Sequence, residues 1–240
     1  MPGHSSRRRR VTAALMMIAT AGLPLASAAQ STGLLYDPQP PADSAYVRII
    51  ALGTAPMEVA VDGARRIKAL AASEPSEYLV LPAGPHQFEL RGGGRTRHAT
   101  VNVQSGRALT LAFITAQADA APVVFEDRPN ANKLKAVVAV YHLHAKSGAL
   151  DVSTADGSTR VFANVGFATS SAIPVNPITV DLIASAAGDK ARLTGARLAM
   201  APGGTYSVFL VPDAKGNLEL RTRTNQIERF TGAHHSSSQP

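Results

Sequence analysis

The sequence has no cysteine and no tryptophan, and only 5% of its 240 residues are aromatic. The absence of cysteine excludes disulfides, thiolate metal sites, a cysteine nucleophile and a lipidated N-terminal cysteine. The scarcity of aromatic residues argues against a long groove in which sugars or bases stack on exposed rings. Hydrophobic residues still make up 45% of the chain, enough for a folded core. The length predicts one or two domains.

The formal net charge of +7 comes largely from the first segment of the chain. Residues 1–28 contain four arginines, Arg7 to Arg10, and no acidic residue. Removing these four from the 24 lysines and arginines leaves 20 basic residues against 17 acidic ones. A remainder so close to neutral lacks the electrostatic footprint of a protein that binds a phosphate backbone. We therefore expect no nucleic-acid partner.

The first 28 residues have the order of a secretory signal peptide. The arginine cluster precedes a mostly apolar run over residues 11–25 and an Ala-Ser-Ala cleavage site at residues 26–28. The apolar run of about 15 residues is shorter than the roughly 20 that span a bilayer. We predict cleavage near Ala28, a periplasmic location, and export by the general secretory route in preference to the twin-arginine route.

The rest of the chain alternates apolar and polar residues in short runs between turn signals, which is typical of an all-β fold. The spacing predicts two tandem small β-sandwich domains of jelly-roll or immunoglobulin-like type. The expected boundaries are a signal peptide at 1–28, an extended lead-in at 29–43, a first sandwich at 44–115, a linker at 116–133, a second sandwich at 134–228 and a disordered tail at 229–240.

The two predicted sandwiches can be laid over each other. Three pairs of landmarks recur with offsets of 94, 92 and 96 residues, and such nearly constant offsets indicate an internal duplication. The landmarks are the Asp-Gly turns at 62–63 and 156–157, the strand segments at 88–90 and 180–182, and the strand segments at 111–113 and 207–209.

His142 and His144 are the most metal-like pair in the sequence. On a strand, residues two apart share a face, so both imidazoles could reach one ion. A metal site needs at least a third ligand, and the sequence supplies none nearby. We interpret the pair as exposed residues on an outer strand face, with Tyr141 and Leu143 on the buried face, and predict no metal site.

Ser158 is a weak candidate nucleophile, in the segment Asp156-Gly157-Ser158. A catalytic serine needs a base and a group that orients the base, and no local Asp-x-x-His motif accompanies it. An Asp-Gly pair in an all-β chain favours a turn. We therefore predict no catalytic residue and no cofactor-binding residue.

Three arginines, Arg91, Arg95 and Arg97, surround a triple glycine at 92–94 that predicts a hairpin turn. Their guanidinium groups could grip carboxylates of a polymer or of an acidic protein surface through forked hydrogen bonds. The alternative is a solvated hairpin tip, where arginine supplies solubility and protects a strand edge. We take these three as candidate partner or polymer contacts.

Four segments stand out for their order and spacing: LYDP at 35–38, YVRI at 46–49, LVLPAG at 79–84 and NPITVDL at 176–182. Together they resemble the AlgF family of periplasmic alginate O-acetylation proteins. The resemblance covers roughly residues 33–225. It implies an accessory protein that links the periplasmic O-acetyltransferases and the membrane acyltransferase of one pathway.

Three other functions stay open. The chain could be a carbohydrate-binding module that holds an anionic polysaccharide, or it could serve the acetylation of another polymer such as cellulose. The third, that it is the O-acetyltransferase itself, is disfavoured because no nucleophile and base are paired in the sequence.

Overall fold

A computed structural model of the protein describes residues 39–231, so the predicted signal peptide, most of the lead-in and most of the tail lie outside the described residues. Sixteen strands make up the regular structure of this part. Within it there is no helix that is long and apolar enough to cross a membrane. The all-β prediction is confirmed.

Eight strands form the first sandwich. They are β1 (Ala45–Ala51), β2 (Met57–Val61), β3 (Ala64–Leu70), β4 (Leu79–Leu81), β5 (Gly84–Gly92), β6 (Arg95–Val103), β7 (Ala108–Phe113) and β8 (Val123–Glu126). One sheet has the order β4-β1-β7-β8 and the other β3-β2-β5-β6. Alternation sets the facing: in β5, Phe88 and Leu90 are buried in the core between the sheets, while Gln87 and Arg91 are exposed.

The second sandwich repeats this plan. Its strands are β9 (Ala136–His142), β10 (Leu150–Thr154), β11 (Arg160–Val165), β12 (Ser170–Val175), β13 (Thr179–Ala186), β14 (Thr194–Ala199), β15 (Thr205–Pro212) and β16 (Leu218–Thr224). The sheet orders are β12-β9-β15-β16 and β11-β10-β13-β14, so every strand corresponds to the one eight places earlier. In both halves the first and seventh strands pair in parallel. The predicted duplication is therefore confirmed.

One landmark of the duplication has the wrong register. Strands β7 and β15 do correspond, but the offset of 96 lays Leu111 on Ser207. Leu111 lies in the first core, whereas the second core takes Tyr206, Val208 and Leu210, on the other face of β15 from Ser207. A shift of one residue exchanges the two faces of a strand. Alternation could not reveal the shift, because β15 is buried on both faces.

The two sandwiches pack against each other through a third core. The sheets β4-β1-β7-β8 and β12-β9-β15-β16 supply it, and its largest members are Phe125, Tyr141 and Phe209. The Tyr141 ring stacks on Phe209 with centroids 4.8 Å apart and meets Phe125 edge-on at 5.4 Å. The central strands of these two sheets are thus buried on both faces, and the described residues 39–231 belong to one compact unit.

Part of the predicted linker at 116–133 is a strand. β8 (Val123–Glu126) pairs antiparallel with β7 and completes the sheet. Phe125, at its centre, enters the third core. The prediction of a linker is therefore wrong for residues 123–126. The sequence suggested a loop because the run is only four residues long and is followed by charged residues and a proline.

Candidate functional site

The triple glycine forms the predicted hairpin turn between β5 and β6. Gly93 and Gly94 have φ angles of 58° and 71°, a region that favours glycine. Arg91 is exposed and forms an ion pair with Glu89 on its own strand. Arg95, across the turn, is exposed and has no ion pair among the described residues.

Arg97 is buried, so the expectation of three exposed arginines is wrong at this position. Its side chain lies between the ends of β1 and β7, and the residue is only 5% exposed. The two terminal nitrogens donate to the carbonyl oxygens of Phe113 at 3.1 Å and Leu52 at 3.0 Å. Burial lowers the pKa of Arg97, and the positive charge of Arg95 adds to the effect. Arg97 therefore acts mainly as a hydrogen-bond donor to backbone carbonyls at the ends of β1 and β7.

His142 and His144 are also buried, which corrects the expectation of an exposed pair. His142 Nδ1 lies 3.0 Å from the Val165 carbonyl oxygen, and burial lowers the pKa of its ring. His144 Nδ1 and Nε2 lie 2.7 Å from Ser147 Oγ and 3.1 Å from the Gly216 carbonyl oxygen. The exposed face was expected because sequence cannot show that both faces of β9 are covered.

Metal ligation finds no support in this part of the molecule. Within residues 39–231, no group of three His, Cys, Asp or Glu side chains is placed to hold a metal ion. His142 instead bonds to the end of β11, and His144 bonds to Ser147 in its own loop and to Gly216 between β15 and β16. Their hydrogen bonds give each ring a structural role.

Ser158 lies in the predicted turn, between β10 and β11. Its hydroxyl donates to Asp156 Oδ1 at 2.9 Å, and the same carboxylate accepts the Ser158 amide at 3.0 Å. Gly157 has a φ of 69°, as the turn requires. The carboxylate thus holds the turn closed, and the serine hydroxyl bonds to it.

A buried ionic network joins the two sandwiches, and no pattern in the sequence indicates it. Arg48 of β1 is 1% exposed. Its Nε donates to Thr110 Oγ1 at 2.7 Å, its Nη1 donates to Asn225 Oδ1 at 2.7 Å, and its Nη2 lies 3.8 Å from Asp127 Oδ1. Asn225 Oδ1 also accepts the Ser207 hydroxyl at 2.8 Å. The guanidinium of Arg48 therefore contacts residues of both sandwiches.

Asp127 is the anionic centre of this network. Its Oδ2 accepts the hydroxyls of Tyr78 at 2.7 Å and Thr110 at 2.6 Å, and its Oδ1 accepts the hydroxyl of Tyr141. Burial raises the pKa of both tyrosines, and the charge of Asp127 raises it further despite the opposing charge of Arg48. The two tyrosines therefore remain donors.

Aromatic rings complete the enclosure of Arg48. Its guanidinium carbon lies 4.8 Å from the ring centroid of Tyr78 and 5.1 Å from those of Tyr141 and Phe209. Cation–π contacts of this kind gain strength when water is excluded. Desolvation of the charge is thus compensated by one carboxylate, two neutral acceptors and three rings.

A cleft of about 200 Å³ borders the network at the N-terminal ends of the central strands. Four tyrosines line it: Tyr46, Tyr78, Tyr141 and Tyr206. The last three are no more than 6% exposed. Their rings are therefore part of the packing and do not offer an open face for a sugar.

These features define a class of protein: a tandem β-sandwich whose halves are locked by a buried ionic network, with Arg95 and Arg97 at one end, where neither forms an ion pair in the described part of the chain. A family model described as "Alginate O-acetyl transferase AlgF" matches residues 18–206. The chain belongs to this AlgF family.

Individual relatives agree with the family match. The chain is 32% identical over 173 residues to "Alginate biosynthesis protein AlgF" of Pseudomonas putida, covering 71% of this chain and 75% of the relative. The protein of the same name from Pseudomonas aeruginosa is 29% identical over 175 residues, covering 73% and 76%. A solved structure of the C-terminal domain of AlgF from P. aeruginosa covers 39% of this chain and 100% of that domain, with 25% identity and a TM-score of 0.31.

Proposed function

We propose that this protein is a periplasmic accessory factor for the O-acetylation of alginate, which mediates contacts among the acetyltransfer components and does not itself transfer acetyl groups. Family membership supports the pathway, since the relatives are named for alginate biosynthesis and the family description names alginate O-acetyl transfer. The expected partners are the periplasmic O-acetyltransferases and the membrane acyltransferase of the same pathway.

The observation that carries the mediator role is the lock between the sandwiches. A protein that joins other proteins must present separate surfaces at a constant distance and angle. The third core and the Arg48–Asp127 network give such constancy, because sliding one sandwich on the other would strand a buried charge. The loops and strand edges of both halves then act as one scaffold.

Exposed arginines at the β5–β6 hairpin are the candidate contacts on the first sandwich. Arg95 has no ion pair in the described structure, while Arg91 already has Glu89. An acidic partner surface could bind both through forked hydrogen bonds. Arg97, being buried, contributes its charge rather than an exposed fork.

The test is a gene deletion combined with reconstitution. Loss of this protein should abolish or sharply reduce alginate acetylation while polymer is still produced, and complementation should restore it. Purified protein should form a complex with a periplasmic O-acetyltransferase and should not acetylate alginate from an acetyl donor. Acetyl transfer by the purified protein alone would contradict the proposal, and so would normal acetylation in the deletion strain.

The periplasmic location has its own test. N-terminal sequencing of the protein recovered from cells should begin near Ala29 if residues 1–28 are removed on export. A mature chain that retains Arg7 would contradict the signal peptide.

A further inference from the structure

A second groove, of about 390 Å³, lies where the central strands of both sandwiches end. Its first-half walls are residues 52–54 after β1, Ile114 after β7, and the start of β6. Its second-half walls are residues 143–146 after β9, Phe167 between β11 and β12, and Pro212 at the end of β15. The groove therefore exists only while the two sandwiches are held together.

The groove carries positive charge without a counterion. Arg95 and Lys146 reach it from opposite sandwiches and are exposed, and Arg97 lines it from a buried position. No aspartate or glutamate lines it, and over residues 39–231 none of the three cations forms an ion pair.

Arg97 makes this imbalance costly. A buried cation is normally accompanied by an anion, because desolvation removes the water that stabilised it. Arg97 has only neutral carbonyl acceptors, and its Nε, fully shielded from water, has no hydrogen-bond partner in the described structure. A carboxylate brought to the adjacent groove would relieve the repulsion between Arg97 and Arg95.

The other residues that line the groove indicate which kind of molecule would supply the carboxylate. Leu52 and Ile114 are half-buried and give an apolar floor, and Phe167 is 40% exposed. The neutral polar side chains are Thr54 and His144, and both ring nitrogens of His144 are already engaged. Thr54 therefore leaves few uncharged hydrogen-bonding groups in the groove for the several hydroxyls of each sugar unit. Cations above an apolar floor suit a peptide in which acidic and apolar residues lie side by side.

We propose that this groove docks an acidic, partly apolar segment of a periplasmic acetyltransfer protein, with Arg95 and Lys146 gripping its carboxylates from the two sides. The inference rests on the mediator function proposed above and gives that function a definite site.

The experiment measures binding of the mature protein to a purified periplasmic O-acetyltransferase of the same pathway. The groove variants are Arg95→Glu and Lys146→Glu. The controls are Lys68→Glu in β3 and Lys190→Glu after β13, which make the same charge change at exposed positions outside the groove. Each groove variant should weaken binding by about tenfold or more through like-charge repulsion, with controls within about twofold. Unfolding temperatures should stay near wild type, since exposed charges contribute little.

The outcomes separate the two proposals. If the wild type binds and both groove variants bind equally well, the groove is refuted and the mediator function stands. If the wild type binds no acetyltransfer protein, the mediator function fails and the groove proposal fails with it. The same variants are titrated with an alginate oligosaccharide. Sugar binding that the groove variants abolish, with protein binding unaffected, would make the polymer the occupant and overturn the proposal.

Discussion

Asp127 should be among the most sensitive positions of this protein to truncation. In Asp127→Ala, Arg48 would keep its buried charge but lose the one carboxylate that pairs with it within residues 39–231, and the hydroxyls of Tyr78, Thr110 and Tyr141 would lose their acceptor. Removing one partner of a buried ion pair costs about 3–5 kcal/mol. At about 2–4 °C per kcal/mol for a unit of this size, the melting temperature should fall by roughly 6–20 °C.

The neighbouring residue provides a matched control. Glu126 is exposed and forms an ion pair with Arg107 on the surface of the first sandwich. Such pairs contribute about 0–1 kcal/mol, so Glu126→Ala should shift the melting temperature by no more than about 4 °C. Thermal denaturation followed by far-ultraviolet circular dichroism measures both variants. Equal shifts for the two variants would refute the view that Asp127 anchors the junction.

A double variant tests the same network from the other side. Arg48→Met combined with Asp127→Leu removes both charges and leaves apolar side chains at both positions. Replacement of a whole buried ion pair is often neutral, so the double variant should be more stable than Asp127→Ala. If the free energy of unfolding of the double variant falls below wild type by the sum of the losses of the two single variants, Arg48→Met and Asp127→Leu, the two charges are not coupled.

Three further predictions concern other parts of the fold. Arg97→Ala should lower the free energy of unfolding by about 1.5–3 kcal/mol through its lost charged hydrogen bonds, whereas Arg91→Ala, at an exposed position, should lower it far less; equal losses in urea titrations would contradict the burial of Arg97. Burial by itself would raise the pKa of Asp151, but hydrogen bonds from two backbone amides and the charge of Arg160 outweigh burial and hold the pKa below 3.8. The ionised carboxylate therefore stabilises the fold above that pH, and this contribution is lost as the pH falls through the folded pKa. Asp151→Asn should therefore show a weaker fall in stability than wild type as the pH is lowered from about 5 through 3.8 and below, and an identical acid profile would exclude this role. A protease of broad specificity should cut the exposed segment 115–119, yet the two fragments should elute together in gel filtration because the third core holds them; separate elution would contradict that core.

The strand plan could be predicted from sequence because each strand with one solvated face records its facing in alternate residues. In β5, Phe88 and Leu90 alternate with Gln87 and Glu89, and the hairpin turn at 92–94 follows from its glycines. The Asp-Gly turns at 62–63 and 156–157 were equally legible, since such pairs favour tight turns. These local signals were enough for the all-β class and for the duplication.

Local signals failed where a second layer covers a strand. β9 and β15 are buried on both faces, so their sequences do not distinguish inside from outside. Because of that ambiguity, the two histidines were expected to be exposed, and Leu111 was aligned with Ser207 in the wrong register. Short β8 was missed for a related reason: its single buried aromatic residue, Phe125, packs against the other half of the molecule and not within its own.

The sequence by itself determined the strands, the turns and the repeat, because each depends on residues close together along the chain. Only the tertiary structure decided which charges are exposed. Arg97 and Arg95 are two residues apart on one strand, yet one is buried by the ends of β1 and β7 and the other is in water. Arg48 and Asp127 are 79 positions apart in the sequence. They meet because packing two sheets face to face removes water from both side chains, and an unpaired charge there would cost about 3–5 kcal/mol, a large share of the net free energy of folding.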